Sequence, residues 1–558
     1  MIRIANGLIV DGTGAPAYLG DVWVEGDKVV EVTPVPRCVP ARGAGQAYEK
    51  NRLGDAAGET HRGTEETIDA TGCLVTPGFI DAHAHSDAYL VLEPAAPSKI
   101  SQGITTEVNG QCGGSIAPRY GEARLSGDWA ALLGERLTWR SLAEYRVVLE
   151  QAKPSINTVQ FIGHNTLRSS VVGYSGRPCT DDELKRMEYL LAEALDQGGA
   201  GLTTGLIYQP GKYATNDEVI ALAKVAVAKG GLYATHMRSE GDRILESIDE
   251  VIALCRATGI RAEISHLKTS GEKNWSKIEA VLAKIEDGMA KGLLLGSDRY
   301  PYCAAGTDLD VVLPDWAQEG AAVAECARLK DVQIRTRIVD EINASGREWS
   351  QVMIGGTWAE ENKRYSGKTI AQLCGDKSVS APGRRRPHLL TIDDPASGRR
   401  HSCLLTPGEL ICSILAADGC KTGAFFFGMC EENLAKIYAK PWIVPGSDAS
   451  LRAPWGPLGN DFPHPRAYAT MPEFYRRVRA LGVSREETIA RMTRVPAERF
   501  GLKGRGVLKK GAFADLVVWK EDAFKAKATF AAPHQFTEGV KLVLVNGKRE
   551  QGGKFLER

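Results

Sequence analysis

The sequence predicts an α/β fold: a (β/α)8 barrel carrying a small β-sandwich domain built from both termini and a helical insertion. Three observations predict it. The middle of the chain alternates short apolar runs with amphipathic helical patterns, which over this length argues for a parallel sheet closed into a barrel. Both ends carry strand-and-turn patterns that can complete one sheet. The stretch from Tyr302 to Trp442 is far too long for one loop and predicts a lid-like insertion over about 303–440.

Taken in order, IRIANGLIVDG, GDVWVEGDKVVEV and ETIDATGCLVTPG read as strands joined by Gly turns, so residues 1–75 form the N-terminal part of the β domain. A polar stretch rich in Gly, Arg and Glu interrupts them at 36–66 and reads as an inserted loop. Residues 76–490 are assigned to the barrel, whose strand-like runs lie in IDAHAHS, TTEVNGQCG, TVQFIGHN, AGLTTGL, LYATHMR, AEISHLK, LLLGSDRYPY and WIVPGSDA. TDDELKRMEYLLAEALDQGG typifies the outer helices: Thr180 is an N-cap residue, acids fill the first turn and glycine ends it. The arginine-rich GRRRPHLLTIDDPASGRR reads as a solvated loop, and GVLKKGAFADLVVWK and VKLVLVNGKRE place residues 491–558 back in the β domain.

Apolar residues make up 43% and charged residues 25% of the 558 positions, ordinary globular usage that excludes a disordered or fibrous chain. Basic and acidic residues balance at 69 each, so no net field favours nucleic acid or an anionic membrane surface as a partner. No apolar run approaches the roughly 18 residues of a membrane span, and the opening MIRIANGLIVDGTG reads as a first strand rather than a leader. Twelve cysteines without a disulfide-scaffold spacing point to reduced thiols and a cytoplasmic protein.

His83 and His85 are two residues apart in GFIDAHAHSD, so on a strand they share a face and can reach one ion. Alone, such a pair is as readily polar surface. Four further ligand types end other strand-like runs, however: Cys112, His236, His266 and Asp448. Six such groups in an apolar barrel mouth are costly unless something compensates them, and His, Cys and carboxylate together suit zinc. Taken singly, Cys112 reads equally as a small core hydrophobe and Asp448 as a loop cap.

The motifs GFIDAHAHSD, GITTEVNGQCGG, GGLYATHMRSEGD, EISHLKTSG, GSDASL, FPHPR and PAERFGLKGRGVLKKGAFADLVV resemble the amidohydrolase superfamily, and within it the N-acyl-D-amino-acid deacylases, over nearly the whole chain. The resemblance implies a TIM-like metallo-dependent hydrolase barrel. It thins out near 36–66 and 376–405. Many superfamily members bridge two metals with a carboxylated lysine on the fourth strand, but AGLTTGL has no lysine, and Cys112 matches the cysteine that takes this role in the D-aminoacylases. The resemblance then implies a tight zinc on Cys112, His236 and His266 and a weaker position at His83 and His85, with Asp448 as general base and acid in amide hydrolysis. For the carboxylate of an N-acyl amino acid it implies Lys268, Tyr300 and Arg466, which on their own read equally as surface charge or aromatic packing.

One departure stands out: CAAGT places Gly306 where relatives present a hydroxyl, so side-chain or acyl preference is expected to differ. His164 in GHNTLR reads as a structural hydrogen-bonder, His61, His388 and His401 as solvated, and His464 and His534 as loop-shaping residues beside prolines. A hydrolase of cyclic amides or of dipeptides with D-residues, a deaminase, and a scaffold that has lost its chemistry remain the rival readings.

Overall fold

The computed structural model describes residues 1–34, 66–125, 129–375, 390–393, 400–403 and 405–557. The insert expected at 36–66 lies almost wholly outside them, as do His61, His388 and most of 376–405; His401 falls in the short strand Arg400–Cys403. Among the described residues no helix is long and apolar enough to cross a membrane.

The two ends of the chain meet in one seven-stranded sheet. Ile2–Ile9 pairs antiparallel with Tyr18–Glu25 and parallel with Glu66–Asp69 and Leu74–Pro77, and Leu516–Trp519 lies between Leu74–Pro77 and Val540–Leu544. Alternating residues place Ile4, Val22, Val24, Val75, Leu516, Val518 and Leu544 on one buried face, the period-two consequence of strand geometry.

The barrel is built from two runs of parallel strands. Phe79–Asp81, Ile104–Asn109 and Asn157–Gln160 form one. Ile162–Gly163, Gly201–Gly205, Leu232–His236, Ala262–Ile264, Leu295–Arg299 and Ile443–Pro445 form the other. Only Phe161 separates Asn157–Gln160 from Ile162–Gly163, so the two segments act as one third strand. The ring closes between the first and eighth strands, where Ala82 N donates to Pro445 O at 3.0 Å and Ala84 bridges Ala449. The eight strands are those expected from the sequence. Helices surround them, and Asp181–Asp196 opens with a capping box between Thr180 and Glu183, an interaction worth about 1 kcal/mol.

Between the seventh and eighth strands the chain builds a unit with its own core of Leu309, Ile338, Ile342, Ile354, Ile411 and Ile414. Its strand Gly423–Phe426 pairs antiparallel with Ala305–Asp308 and Val352–Ile354, so Gly306 sits in a sheet that reaches the mouth of the barrel. Inside this unit two carboxyls, Asp310 and Glu325, are packed together. Burial pushes both up to about 7, and the Glu325 charge adds to the shift at Asp310. Carboxyls with raised folded-state values favour folding fully at acid pH, and that contribution disappears as pH rises through neutrality. Asp310→Asn/Glu325→Gln is therefore expected to raise the melting temperature at pH 8 by several degrees and by clearly less at pH 5, where only part of the contribution has been lost, read by calorimetry. An equal effect at both values would refute the buried-pair reading.

Candidate metal centre and active site

All the ligand-type side chains singled out in the sequence lie at or just past the C-terminal ends of barrel strands, the end at which such barrels carry their chemistry. His83 and His85 follow the first strand, Cys112 the second, His266 the sixth and Asp448 the eighth, and His236 closes the fifth. Three of these residues are left-handed without being glycine: Cys112 at φ 53°, His266 at 39° and Asp448 at 50°. Such backbones cost of order 1–3 kcal/mol each and persist only where surrounding structure holds them. Gly446 shows how tightly the eighth strand is pressed in, since a Cβ there would stand 2.5 Å from Asp298 Oδ1 and 2.7 Å from His83 Cβ.

The side chains converge into two groups that share Cys112. His83, His85, Cys112 and Asp448 form one, Cys112, His236 and His266 the other, and within each the ligand atoms lie within 4.8 Å of one another. Cys112 Sγ stands 3.4 Å from His83 Nε2 and 3.3 Å from His266 Nε2. Asp448 Oδ1 lies 3.1 Å from His85 Nε2 and 3.5 Å from His83 Nε2. His236 is buried, yet neither ring nitrogen makes a hydrogen bond; Glu240 Oε2 approaches Nε2 only to 3.4 Å. A buried imidazole left in that state is what a cation would satisfy.

The field of the site also suits a cation. Burial works against ionising Cys112, but the His83 and His266 imidazoles outweigh it and hold the thiol well below its usual range. Burial likewise opposes charge on Asp448, and Arg466 first, then His266, His85 and His83, hold its carboxyl well below the ordinary value. The donor set therefore fits zinc: a thiolate, imidazoles and a carboxylate, all buried or nearly so.

Two carboxylates that the sequence reading missed orient these ligands. His83 Nδ1 donates to Asp298 Oδ2 at 3.2 Å while Asp298 Oδ1 accepts the His266 backbone N–H at 3.0 Å. Glu240 Oε1 lies 2.9 Å from His266 Nδ1 and also accepts from Lys268 Nζ. Both bonds leave Nε2 of the histidine facing Cys112, the usual task of carboxylates behind metal-binding histidines. Both acids stand inside motifs already noted, GSDRYPY and MRSEGD, each beside a strand end.

The three residues expected at a substrate carboxylate also gather here. Arg466 Nη1 donates to Asp448 Oδ2 at 2.8 Å and Nη2 to Gly306 O at 3.2 Å, leaving its buried Nε without a partner. The Tyr300 ring is fully buried between the guanidinium groups of Arg299 and Arg466, at 3.9 and 4.6 Å, and its hydroxyl makes no hydrogen bond. Lys268 Nζ is 2.8 Å from His266 Nδ1 and paired with Glu240, so its charge is already matched. His464 does more than shape a loop: Nε2 donates to Ala304 O, Nδ1 accepts from Arg466 N, and the ring packs on Tyr302, Phe425 and Phe530 beside Gly306. His164 lies outside the centre, bonded to Glu218 at 2.9 Å, and His534 meets Tyr468 and Asp461.

Known proteins resemble this chain over nearly its whole length. The amidohydrolase family pattern matches residues 66–350 and 428–549. An N-acyl-D-glutamate deacylase from Alcaligenes xylosoxydans xylosoxydans is 31% identical over 553 residues, covering 98% of this chain and 92% of its own. The solved N-acyl-D-glutamate deacylase of Bordetella bronchiseptica, in complex with zinc and a phosphonate inhibitor that mimics the tetrahedral intermediate, superposes with a TM-score of 0.76 at 29% identity, covering 100% of this chain and 99% of that one. A solved D-aminoacylase with a binuclear metal centre, activated by one metal and attenuated by a second, gives 0.76 at 28% identity with the same coverage. The chain belongs to the amidohydrolase family and, within it, to the N-acyl-D-amino-acid deacylases.

Proposed function

We propose that this protein hydrolyses the amide bond of N-acyl-D-amino acids, releasing a carboxylic acid and a D-amino acid. The observation that carries the proposal is the Cys112-centred ligand set standing against the Asp448–Arg466 pair. Relatives that act on N-acyl-D-glutamate, over nearly the whole chain, supply the D configuration, which nothing in the residue spacing reveals.

In this reading Cys112, His236 and His266 would hold a tight zinc, and His83, His85 and Asp448 with Cys112 a weaker second position, in keeping with the D-aminoacylase activated by one metal and attenuated by another. When bound, zinc supplies the Lewis acidity that polarises an amide carbonyl and makes water nucleophilic near neutral pH. Asp448 takes a proton at Oδ1, the oxygen facing His83 and His85, and returns it to the departing amine; its Oδ2 is occupied by Arg466. The unpartnered Arg466 Nε–H and Tyr300 hydroxyl are the donors best placed to take the substrate carboxylate. Lys268, paired with Glu240, contributes positive charge behind them rather than an empty donor. Gly306 offers no hydroxyl, so the acyl or side-chain preference departs from that of relatives that have one there.

Ten of the twelve cysteines are free thiols, which supports a reducing, cytoplasmic setting.

A panel of N-acyl-D- and N-acyl-L-amino acids, assayed on wild type and Asp448→Asn, tests the proposal. Hydrolysis confined to the D series is expected, with kcat falling about 10²- to 10⁴-fold in the variant. Faster turnover of a cyclic imide would overturn the substrate class, and full activity of Asp448→Asn would remove Asp448 as the base. Metal analysis of purified protein gives a separate check. Cys112→Ala should lose the tightly held zinc while keeping its circular dichroism; retention of zinc at the wild-type level would take Cys112 out of the ligand set.

A further inference from the structure

Beneath the metal centre lies a second polar cluster that the proposed chemistry does not use. Lys99, on the short helix Pro97–Ile100 that follows the first barrel strand, is fully buried, as are Asp81, Glu107 and Ser447. Its Nζ lies 2.9 Å from Asp81 Oδ2, 2.7 Å from Glu107 Oε1, 3.1 Å from Ser447 Oγ and 3.0 Å from the carbonyl oxygen of Ala449. The last two contacts fall on the residues immediately before and after Asp448. Ser447 Oγ in turn donates to Asp81 Oδ2 at 2.6 Å and accepts from Ala449 N at 3.2 Å, which with Lys99 uses its one proton and both lone pairs. Asp81 Oδ1 accepts from the backbone N–H of Ser447 at 2.7 Å and of His83 at 3.3 Å. The ammonium and its partners thus join the first and eighth strands at the place where His83 and Asp448 leave them.

Burying an ammonium and two carboxylates is a poor way to stabilise a barrel. Apolar side chains of similar volume commonly do as well or better, because the desolvation of each ion offsets the attraction between them. What such a cluster supplies is directional bonds. The turn it encloses needs them, since Asp448 is held at φ 50°, a conformation that a non-glycine residue keeps only when its neighbours fix it.

We propose that Lys99 is a positioning residue for the reaction: by binding Ser447 and Ala449 it holds the left-handed turn that aims the Asp448 carboxylate at the substrate. The inference rests on the reading of Asp448 as the proton-carrying group, and the experiment separates failure of the one from failure of the other. Zinc-loaded enzyme carrying Lys99→Met/Glu107→Gln, which removes one positive and one negative charge together, is compared with wild type and with the same pair of substitutions in an Asp448→Asn background. The expected result is a kcat lowered about 10- to 100-fold with zinc content unchanged and KM within about 3-fold of wild type. In the Asp448→Asn background the same change should lower the residual rate by less than about 3-fold, because residues that act as a unit are not additive. Ser447→Ala, which leaves no buried charge unpaired, should show the same pattern and decides the matter if the double variant does not fold. A kcat at the wild-type level, or an equal loss with and without the Asp448 carboxylate, would overturn the proposal. Full activity of Asp448→Asn by itself would instead overturn the assignment of the base.

Discussion

The structure of the site depends on the Cys112 thiol. It is the one side chain common to both groups of ligand atoms, and it lies within 3.4 Å of imidazoles from two non-adjacent strands, the first and the sixth. A thiol in apolar surroundings would stay protonated; here the imidazoles overcome burial and favour the thiolate. That one anion draws His83 and His266 together. Asp298 and Glu240 then hold the far side of each ring, so that Nε2 of each faces the thiol. Without a lysine on the fourth strand, no other residue of the barrel mouth supplies a comparable bridge among the described residues.

Around that anion the barrel is closed under constraint. The first and eighth strands meet through few backbone bonds, and Gly446 allows an approach that any Cβ would block. Left-handed backbones at Cys112, His266 and Asp448 turn each side chain inward just past the end of its strand. Three strained residues among six would be a liability in a fold shaped only for stability, and their clustering at one end of the barrel marks where stability has been given up for orientation.

Much of this is legible in the amino-acid sequence. The alternation of strand and helix patterns located all eight barrel strands, because periodicities of two and of 3.6 are written into local sequence. The six ligand-type residues were legible for a related reason: each lies at a strand end, where a polar residue interrupts an apolar run. Asp298 and Glu240 were not, since a carboxylate two residues from a tyrosine or four from a histidine carries no mark of which ring it will meet across the barrel. Lys99 was hidden more deeply. A lysine on a four-residue helix ordinarily points to solvent, and only the three-dimensional placement of Asp81, Glu107 and Ser447 turns it inward. His464, set between two prolines, read as a loop-shaping residue because its packing partners Phe425 and Phe530 lie far away in sequence.

Arg466 connects the parts that sequence reading treated separately. Its guanidinium plane reaches the Asp448 carboxylate through one terminal nitrogen and the carbonyl of Gly306, in the inserted sheet, through the other, while its face lies against Tyr300. A lysine could not make these contacts together, since they require a planar fork with donors fixed in direction. The base, the inserted unit and the surface proposed for the substrate carboxylate therefore share one rigid group. Under the proposed function this has a consequence for how binding energy is used. A carboxylate drawn to the remaining Nε–H would pull on the same guanidinium that orients Asp448, so recognition at one end of the substrate bears on proton transfer at the other. Gly306 contributes to this through its backbone carbonyl, which explains how a position without a side chain can still belong to the wall of the site.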